Sequence, residues 1–179
     1  GPQSEVFLLP EWHGENPPRE EIEVIARAGC DLNPLDPSSE EDRLRLISYV
    51  WADQTDRLER TAAALRLAQE HGLHVEKADA VDWLKSRLAQ RYEGATHVIY
   101  HSIAWQYLPD HLKEAGEALM AEAGARATAE APLARLQMEA DAAPNGAAIT
   151  LQLWPTGEKQ EIGRADFHGR WVEWRGWQT

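Results

Sequence analysis

The feature that most constrains the fold is an alternation of strand-like and helix-like segments, which runs from residue 22 to about residue 140. The strand-like segments are short and apolar or β-branched, and apolar residues recur at helical spacing between them. Alternation of this kind is typical of a parallel sheet with helices on both faces. The predicted strands are Ile22–Ala28, Leu73–Lys77, Thr96–Ser102 and Leu133–Glu139.

Four helices are predicted in this part of the chain. The start of the first is open between Asp36, which precedes a proline, and a capping box over Ser38–Glu41. Asp79 is placed to cap the third helix, and glycines close the second, third and fourth. The apolar faces are, in chain order, Leu44, Ile47 and Trp51; Leu58, Ala62, Leu65 and Ala68; Val81, Leu84 and Leu88; and Leu112 and Leu119.

Beyond residue 140 the pattern changes to consecutive strands. Ala147–Trp154 alternates apolar with polar residues, and a Pro-Thr-Gly turn follows it. Residues 159–165 and 170–174 are also strand-like, which predicts antiparallel pairing with Ala147–Trp154. The sequence therefore predicts a single α/β domain over residues 1–179, with three layers and a mostly parallel sheet that ends in an antiparallel hairpin.

Composition restricts the partners and the compartment. The formal net charge is −12, with 30 acidic side chains against 18 lysines and arginines, so nucleic acid and anionic membranes are disfavoured as partners. No apolar run approaches the length that spans a bilayer. The single cysteine, Cys30, excludes an internal disulfide and favours a cytoplasmic protein.

Polar and aromatic residues follow three of the predicted strands. Because the carboxyl ends of parallel strands meet at one edge of a sheet, where ligands bind, these residues are the candidate site. The segments that carry them are "GCDLNP", "EKADAVDWL" and "VIYHSIAWQYLP". The residues are Asp31 and Asn33, then Asp79 and Ala80, and then His101, Ser102, Trp105 and Tyr107.

At this point the sequence resembles known families. The phrases "GCDLNPLD", "RLISYVWADQTDRLER", "HSIAWQYLP" and "FHGRWVEW" resemble the bacterial domain-of-unknown-function 2332 family, from about Val6 to Trp174. The order of strands and helices looks like a class I S-adenosylmethionine-dependent methyltransferase read from its second strand onward. The resemblance implies a Rossmann-like, methyltransferase-type sheet and S-adenosylmethionine as the cofactor.

The resemblance also implies roles for individual residues. Asp31 matches the acid that accepts hydrogen bonds from the cofactor's ribose hydroxyls, and Asp79 with Ala80 matches the pair that contacts adenine. The candidate cofactor-binding set is Asp31, Asn33, Asp79, Ala80, His101 and Ser102, and the candidate substrate-binding set is Trp105, Tyr107 and His168. His168 lies either in a tight turn at the site or only at a hairpin corner. The substrate is a small molecule or a protein, and no general base is identified.

The sequence departs from the methyltransferase pattern at its start. Residues 1–21 contain no strand followed by a glycine-rich loop, which in those enzymes holds the methionine end of the cofactor. The chain is therefore expected to be the C-terminal portion of a longer protein. The missing strand would occupy the middle of the sheet, so either another segment completes the sheet or the strands rearrange.

Each candidate residue also has a simpler interpretation. Asp31 can be a turn residue and Asp79 a plain helix cap. His97 and His101 would lie about 13 Å apart on a strand, too far for one metal ion, so no metal site is predicted. The alternative function is a ligand- or partner-binding domain without chemistry on a degenerate methyltransferase-like fold, and the oligomeric state is open.

Overall fold

The computed structural model describes residues 4–17 and 20–178. The chain divides into two compact units, here called the N-terminal unit (Gly1–Leu8 and Ile22–Ala80) and the C-terminal unit (Leu9–Glu21 and Val81–Thr179). The elements are β1 (Glu11–Gly14), β2 (Cys30–Asp31), α1 (Glu40–Ser48), α2 (Thr55–Glu70), β3 (Glu76–Lys77), α3 (Ala80–Leu88), β4 (His97–Ser102), a 3-10 helix (Trp105–Tyr107), α4 (Asp110–Ala125), β5 (Leu133–Glu139), β6 (Ala147–Trp154), β7 (Glu158–Ala165) and β8 (Trp171–Trp174).

The C-terminal unit is built on a six-stranded mixed sheet with the order β1-β8-β7-β6-β5-β4. The pairs β4–β5 and β1–β8 are parallel. The pairs β5–β6, β6–β7 and β7–β8 are antiparallel, because the segments between these strands are too short for the crossover that a parallel pair needs. The longer connection through α4 allows the parallel pairing of β4 with β5.

Helices α3 and α4 cover one face of this sheet. Leu84 and Leu88 of α3 and Met120 of α4 pack with Leu133 of β5 into a buried cluster, against which Trp154 of β6 also packs. Each fully buried side chain of this size stabilises the fold by roughly 1.5–3 kcal/mol. This cluster is the principal core of the C-terminal unit and fixes the helices on the sheet.

The opposite face of the same strands is open to solvent. Val98 and Tyr100 of β4 are 47% and 75% exposed, and Leu136, which pairs with Tyr100, is 36% exposed. Paired residues lie on the same face of a sheet, so these three side chains form one apolar surface. At β4 and β5 the C-terminal unit therefore has two layers rather than three.

The N-terminal unit contains α1, α2 and the two-stranded parallel sheet of β2 and β3. Ser39 caps α1 by accepting a hydrogen bond from the amide of Asp42 at 3.3 Å. On α2, Ala63 and Leu65 are buried, and the helix ends at His71 as its glycine signal predicts. The short strands and the few buried side chains give this unit little core of its own.

The predicted fold class is wrong. The sequence predicts a three-layer, mostly parallel, Rossmann-like sheet, whereas the larger sheet has three antiparallel and two parallel pairings, and one of its faces is exposed at Val98, Tyr100 and Leu136. The three strands Ile22–Ala28, Leu73–Lys77 and Thr96–Ser102 were expected in one sheet. Instead β2 pairs with β3 in the smaller sheet, and β4 belongs to the larger one.

The first predicted strand, Ile22–Ala28, is absent from the structure at that position. Residues 22–28 have no strand assignment, and Ile22, Val24 and Ile25 are largely exposed. Strand-like alternation needs a partner that supplies backbone hydrogen bonds and a surface that buries the apolar side chains. Pairing in this region begins only at Cys30.

The C-terminal hairpin is confirmed. Ala147–Trp154 and Glu158–Ala165 pair antiparallel across the predicted turn, with one irregularity between Ile149 and Thr150. The strand Leu133–Glu139 is also confirmed over its whole length. Val81, Leu84 and Leu88 are the buried residues of α3, as the helical spacing predicts. Strand β1, which pairs in parallel with β8, is not predicted from the sequence.

Candidate functional site

Asp31 and Asn33 lie at the carboxyl edge of the small parallel sheet. Asp31 is the last residue of β2 and pairs with Lys77, the last residue of β3. Its carbonyl accepts the amide of Ala78 at 3.0 Å, which holds the two strand ends together. Its carboxylate Oδ1 accepts the amide of Asn33 at 2.7 Å. Asp31 therefore stabilises the turn after β2, as its simpler interpretation predicts, and its side chain remains exposed.

Asp79 and Ala80 follow β3 at the same edge. Because β2 and β3 are parallel, the residues after each strand lie at one end of the sheet. Ala80 is the first residue of α3, and Asp79 precedes it directly and is partly buried. An acid at this position also interacts favourably with the positive end of the helix dipole. The structure thus brings Asp31 and Asp79 to one edge within the N-terminal unit.

His101 belongs to the C-terminal unit and is held by two neighbours. Its Nδ1 lies 2.7 Å from Oε1 of Glu139, and its Nε2 lies 3.2 Å from Nε of Arg135. A guanidinium nitrogen can only donate, so Nε2 of His101 is the acceptor and Nδ1 carries the proton that is donated to Glu139. Both ring nitrogens are therefore engaged within the protein, and neither can serve as a base without breaking a bond.

Arg135 and Glu117 extend this network across the sheet and onto α4. Arg135 lies in β5, is 2% exposed, and donates to both carboxylate oxygens of Glu117 at 2.7 and 2.8 Å. Its guanidinium also lies over the ring of Trp105, 4.7 Å from the ring centroid. A buried arginine must be paired in this way, because an unpaired buried charge is strongly destabilising.

The network shifts the pKa values of two groups. Burial lowers the pKa of His101, although the hydrogen bond with Glu139 opposes this shift. Burial would raise the pKa of Glu139, but hydrogen bonds from His101 and from the backbone amides of Ala104 and Trp105 outweigh it and lower the pKa. The favoured state is a neutral His101 beside an ionised Glu139.

Glu139 also fixes the loop that follows β4. Its Oε1 accepts the amides of Ala104 and Trp105 at 3.1 and 3.0 Å, and these lie at the start of the 3-10 helix. The preceding residue, Ile103, has a φ of 48°, an uncommon conformation for a β-branched side chain. Such a residue persists only where the surroundings hold it. The carboxylate of Glu139 supplies that restraint.

The remaining predicted residues of this loop differ in exposure. Trp105 is partly buried and its ring stacks on that of His101, with the centroids 5.0 Å apart. Ser102 and Tyr107 are exposed. His168 is exposed in the turn between β7 and β8, where its amide donates to Asp166. His101 and Trp105 are therefore in contact, whereas the binding roles of all these residues stay predictions.

The sequence reasoning missed Glu139, Arg135 and Glu117. Two signals were present: an arginine in the middle of an otherwise apolar strand, and an acid at the end of that strand. A charged residue at a core position needs a partner, and Arg135 therefore pointed to an acid on a neighbouring element. Among the described residues, no group of three or more His, Cys, Asp or Glu side chains is arranged to hold a metal ion.

Comparison with known proteins adds one match. Residues 1–174 match the model of the family described as "Uncharacterized protein conserved in bacteria (DUF2332)". The chain belongs to this family. No curated protein and no solved structure matches the chain. The family assignment predicted from the four sequence phrases is thus confirmed, and the description of the family names no activity.

The helices were also compared with the requirements of a membrane span. Within residues 4–17 and 20–178, none is both long enough and apolar enough to cross a bilayer. The longest helices, α2 and α4, have 16 residues each and carry charged side chains throughout.

Proposed function

We propose that this member of the DUF2332 family binds S-adenosylmethionine in the full-length protein, and that the carboxyl edge of β2 and β3 holds the adenosine part. The observation that carries the proposal is the parallel pairing of Cys30–Asp31 with Glu76–Lys77, which supports two acids, Asp31 and Asp79, at one edge. A single carboxylate accepts hydrogen bonds from two vicinal hydroxyls, as a ribose requires.

The residues at this edge fit the nucleoside part of the cofactor. The carboxylate of Asp31 is oriented by the amide of Asn33 through Oδ1, and the exposed side chain can still accept from ligand hydroxyls. Asp79 and Ala80, at the start of α3, are the candidates for contacts with adenine. Among the described residues, no glycine-rich loop follows a strand at this edge, so no residue is assigned to the methionine part.

When bound, S-adenosylmethionine supplies an activated methyl group. The chain's own contribution would be to bind and orient the nucleoside, and the substrate would be a small molecule or a protein. The net charge of −12 argues against a nucleic acid substrate, and the single cysteine supports the cytoplasm as the compartment. His101, Ser102, Trp105, Tyr107 and His168 remain candidates for contacts beyond the nucleoside.

A second candidate function is binding without chemistry, to a ligand or a partner protein. One observation favours it: both ring nitrogens of His101 are engaged, by Glu139 and by Arg135. The loop after β4, which was expected to face the substrate, therefore offers no histidine ready to accept a proton. A protein that binds the nucleoside but transfers no methyl group would match this alternative.

Calorimetric titration of the full-length protein tests the proposal. S-adenosylmethionine and its demethylated product are titrated into wild type, Asp31→Ala, Asp31→Asn and the control Asp53→Ala, which removes another exposed acid of the same unit. Loss of charged hydrogen bonds should weaken binding by Asp31→Ala roughly ten- to a hundredfold, and Asp31→Asn should lose less because it keeps one acceptor oxygen.

The outcomes separate the alternatives. No heat with wild type excludes the cofactor. Normal binding by a folded Asp31→Ala protein removes the role of Asp31 and leaves the cofactor claim standing. Because Asp31 also stabilises a turn, thermal unfolding of each variant must accompany the titration. Binding without methyl transfer to any tested acceptor supports the second candidate function.

A further inference from the structure

A cleft in the C-terminal unit is lined by residues that belong neither to the proposed nucleoside site nor to the network around His101. Its volume is about 640 Å³, within the range of about 300–1,000 Å³ typical of small-molecule sites. Strands β1 and β8 contribute its floor, and two turns contribute its walls. The side chains that matter are His13, Asn145, Phe167, Arg170, Trp171 and Glu173.

The charged side chains that line this cleft, Asp166, Arg170 and Glu173, are already paired. Arg170 donates to the buried carboxylate of Asp166 from Nη2 at 2.7 Å and from Nε at 3.1 Å. Glu173 accepts from Arg175 at 2.9 and 3.0 Å. A charged ligand would have to compete with these pairs, whereas a neutral ligand can use the donors and acceptors that remain.

The cleft is held in shape before any ligand binds. Asp166 accepts the amides of His168 and Arg170, which fixes the turn that carries Phe167 and Arg170. On the other wall, Arg164 donates to both carboxylate oxygens of Asp141 at 2.8 and 2.9 Å. The same guanidinium donates to the carbonyl of residue 146 at 3.1 Å, which anchors the turn that carries Asn145. A preformed site loses less entropy on binding than a mobile one.

Two aromatic rings and mixed polar groups face the cleft. Phe167 is 45% exposed, and Trp171, which also lines the cleft, is partly buried. His13 and Glu173 are directly paired between β1 and β8 and lie on one face of the sheet. Arg170 and Asn145 supply donors, Glu173 and Asn145 supply acceptors, and His13 can do either.

We propose that this cleft is a binding site for a neutral saccharide. A sugar hydroxyl donates and accepts at once, and so matches a site that offers donors and acceptors without a net unpaired charge. The carbon-bearing face of a sugar ring is apolar and suits the exposed ring of Phe167. This proposal is independent of the nucleoside site, because its residues belong to the C-terminal unit and Asp31 belongs to the N-terminal unit.

Saturation-transfer NMR and calorimetric titration test this proposal. The probes are D-glucose, D-galactose, D-mannose, N-acetyl-D-glucosamine, maltose and cellobiose, with inorganic phosphate as the anionic comparison. At least one sugar should bind wild type with weak affinity, in the millimolar range. Phe167→Ala should weaken that binding about three- to tenfold, because a stacked ring is lost.

Two variants make the result specific. Glu173→Gln keeps the shape of the side chain and should weaken sugar binding without altering the fold. Tyr100→Ala removes another exposed aromatic side chain of the C-terminal unit, which lies in β4 outside the cleft, and should bind as wild type does. Circular dichroism confirms that each variant is folded. The proposal is overturned if no sugar binds wild type, if Phe167→Ala and Tyr100→Ala behave alike, or if only phosphate binds.

Discussion

His101 and Glu139 are joined by a hydrogen bond of 2.7 Å between Nδ1 and Oε1, across the parallel pair of β4 and β5. The same carboxylate accepts three backbone amides of the loop after β4, those of Ala104, Trp105 and Gln106. One side chain therefore fixes both the tautomer of a partly buried histidine and the conformation of the segment beside it.

Removing the carboxylate of Glu139 should destabilise the protein. Glu139→Ala leaves His101 and three backbone amides without their acceptor, and hydrogen bonds to a charged group are worth about 1.5–3 kcal/mol. Glu139→Gln keeps an acceptor oxygen and should lose less. Urea unfolding measures the change, with Glu130→Gln, an exposed acid of the same unit, as the control. Equal losses for Glu139→Ala and Glu130→Gln would contradict this role.

Stability should fall as the pH decreases below about 6.5. Burial lowers the pKa of His101 from its ordinary value of 6.5, so the unfolded chain takes up the proton first. The contribution of His101 to the free energy of unfolding is then complete above pH 6.5, and it is lost as the pH falls towards the pKa of His101 in the folded state. The lowered pKa of Glu139 adds a second loss below its ordinary value of 4.5. The groups facing His101 are Arg135, Glu139, Glu117 and Trp105.

His101→Gln tests this pH dependence. A glutamine amide can donate to Glu139 and accept from Arg135, but it does not titrate. The variant should therefore lose part of the pH dependence below 6.5 and keep the loss below 4.5. His97→Gln is the matched comparison, since burial also lowers the pKa of His97. An unchanged profile for His101→Gln would exclude His101 as a source of the effect.

Gly116→Ala should destabilise α4, although alanine is the better helix former. A Cβ at residue 116 would lie 2.4 Å from the Trp105 ring, which is itself packed on His101 and Arg135. Overpacking of this kind costs about 1–3 kcal/mol, more than the roughly 1 kcal/mol that alanine gains over glycine in a helix. Thermal unfolding should show partial recovery in the double variant with Trp105→Phe. Stabilisation by Gly116→Ala alone would show that the ring moves freely.

The bounds of a strand or helix are predicted correctly from the sequence where interactions between nearby residues determine them. β5 and β6 have the predicted bounds because each is stabilised by neighbours that are close in sequence. The parallel topology was wrong because alternation of strands and helices does not specify which strands pair. Ile22–Ala28 has the composition of a strand but lacks a strand assignment, and β1 has no apolar alternation but pairs with a strand far away in sequence.

The site shows the same division between local and distant interactions. The turn role of Asp31 was predictable, because its partner Asn33 is two residues away. The partners of His101 were not, since Glu139 and Arg135 lie more than thirty residues further along the chain. They meet only because β4 and β5 pair in a register that places His101 beside Gln137, between these two residues. Side-chain contacts of this kind depend on register, which a single sequence does not specify.

Gly14→Ala should detach β1 from the sheet. Gly14 has a φ of 95°, and a Cβ there would lie 2.1 Å from the carbonyl oxygen of Trp174, a backbone atom that cannot move aside without breaking β8. Amide hydrogen exchange over Glu11–Gly14 should increase strongly, and the fluorescence of the Trp12–Trp174 pair, whose rings are 5.9 Å apart, should change. Gly169→Ala is the control.

Gly169 has a similar φ of 73° but open space around it, so its substitution should cost only the roughly 1–2 kcal/mol of a left-handed conformation. Exchange in β1 should then remain close to that of wild type. Because His13 and Glu173 face each other across the β1–β8 pair, detachment of β1 should also open one side of the proposed saccharide cleft. If both variants leave β1 equally protected, the pairing of β1 with β8 does not depend on the absence of a side chain at residue 14.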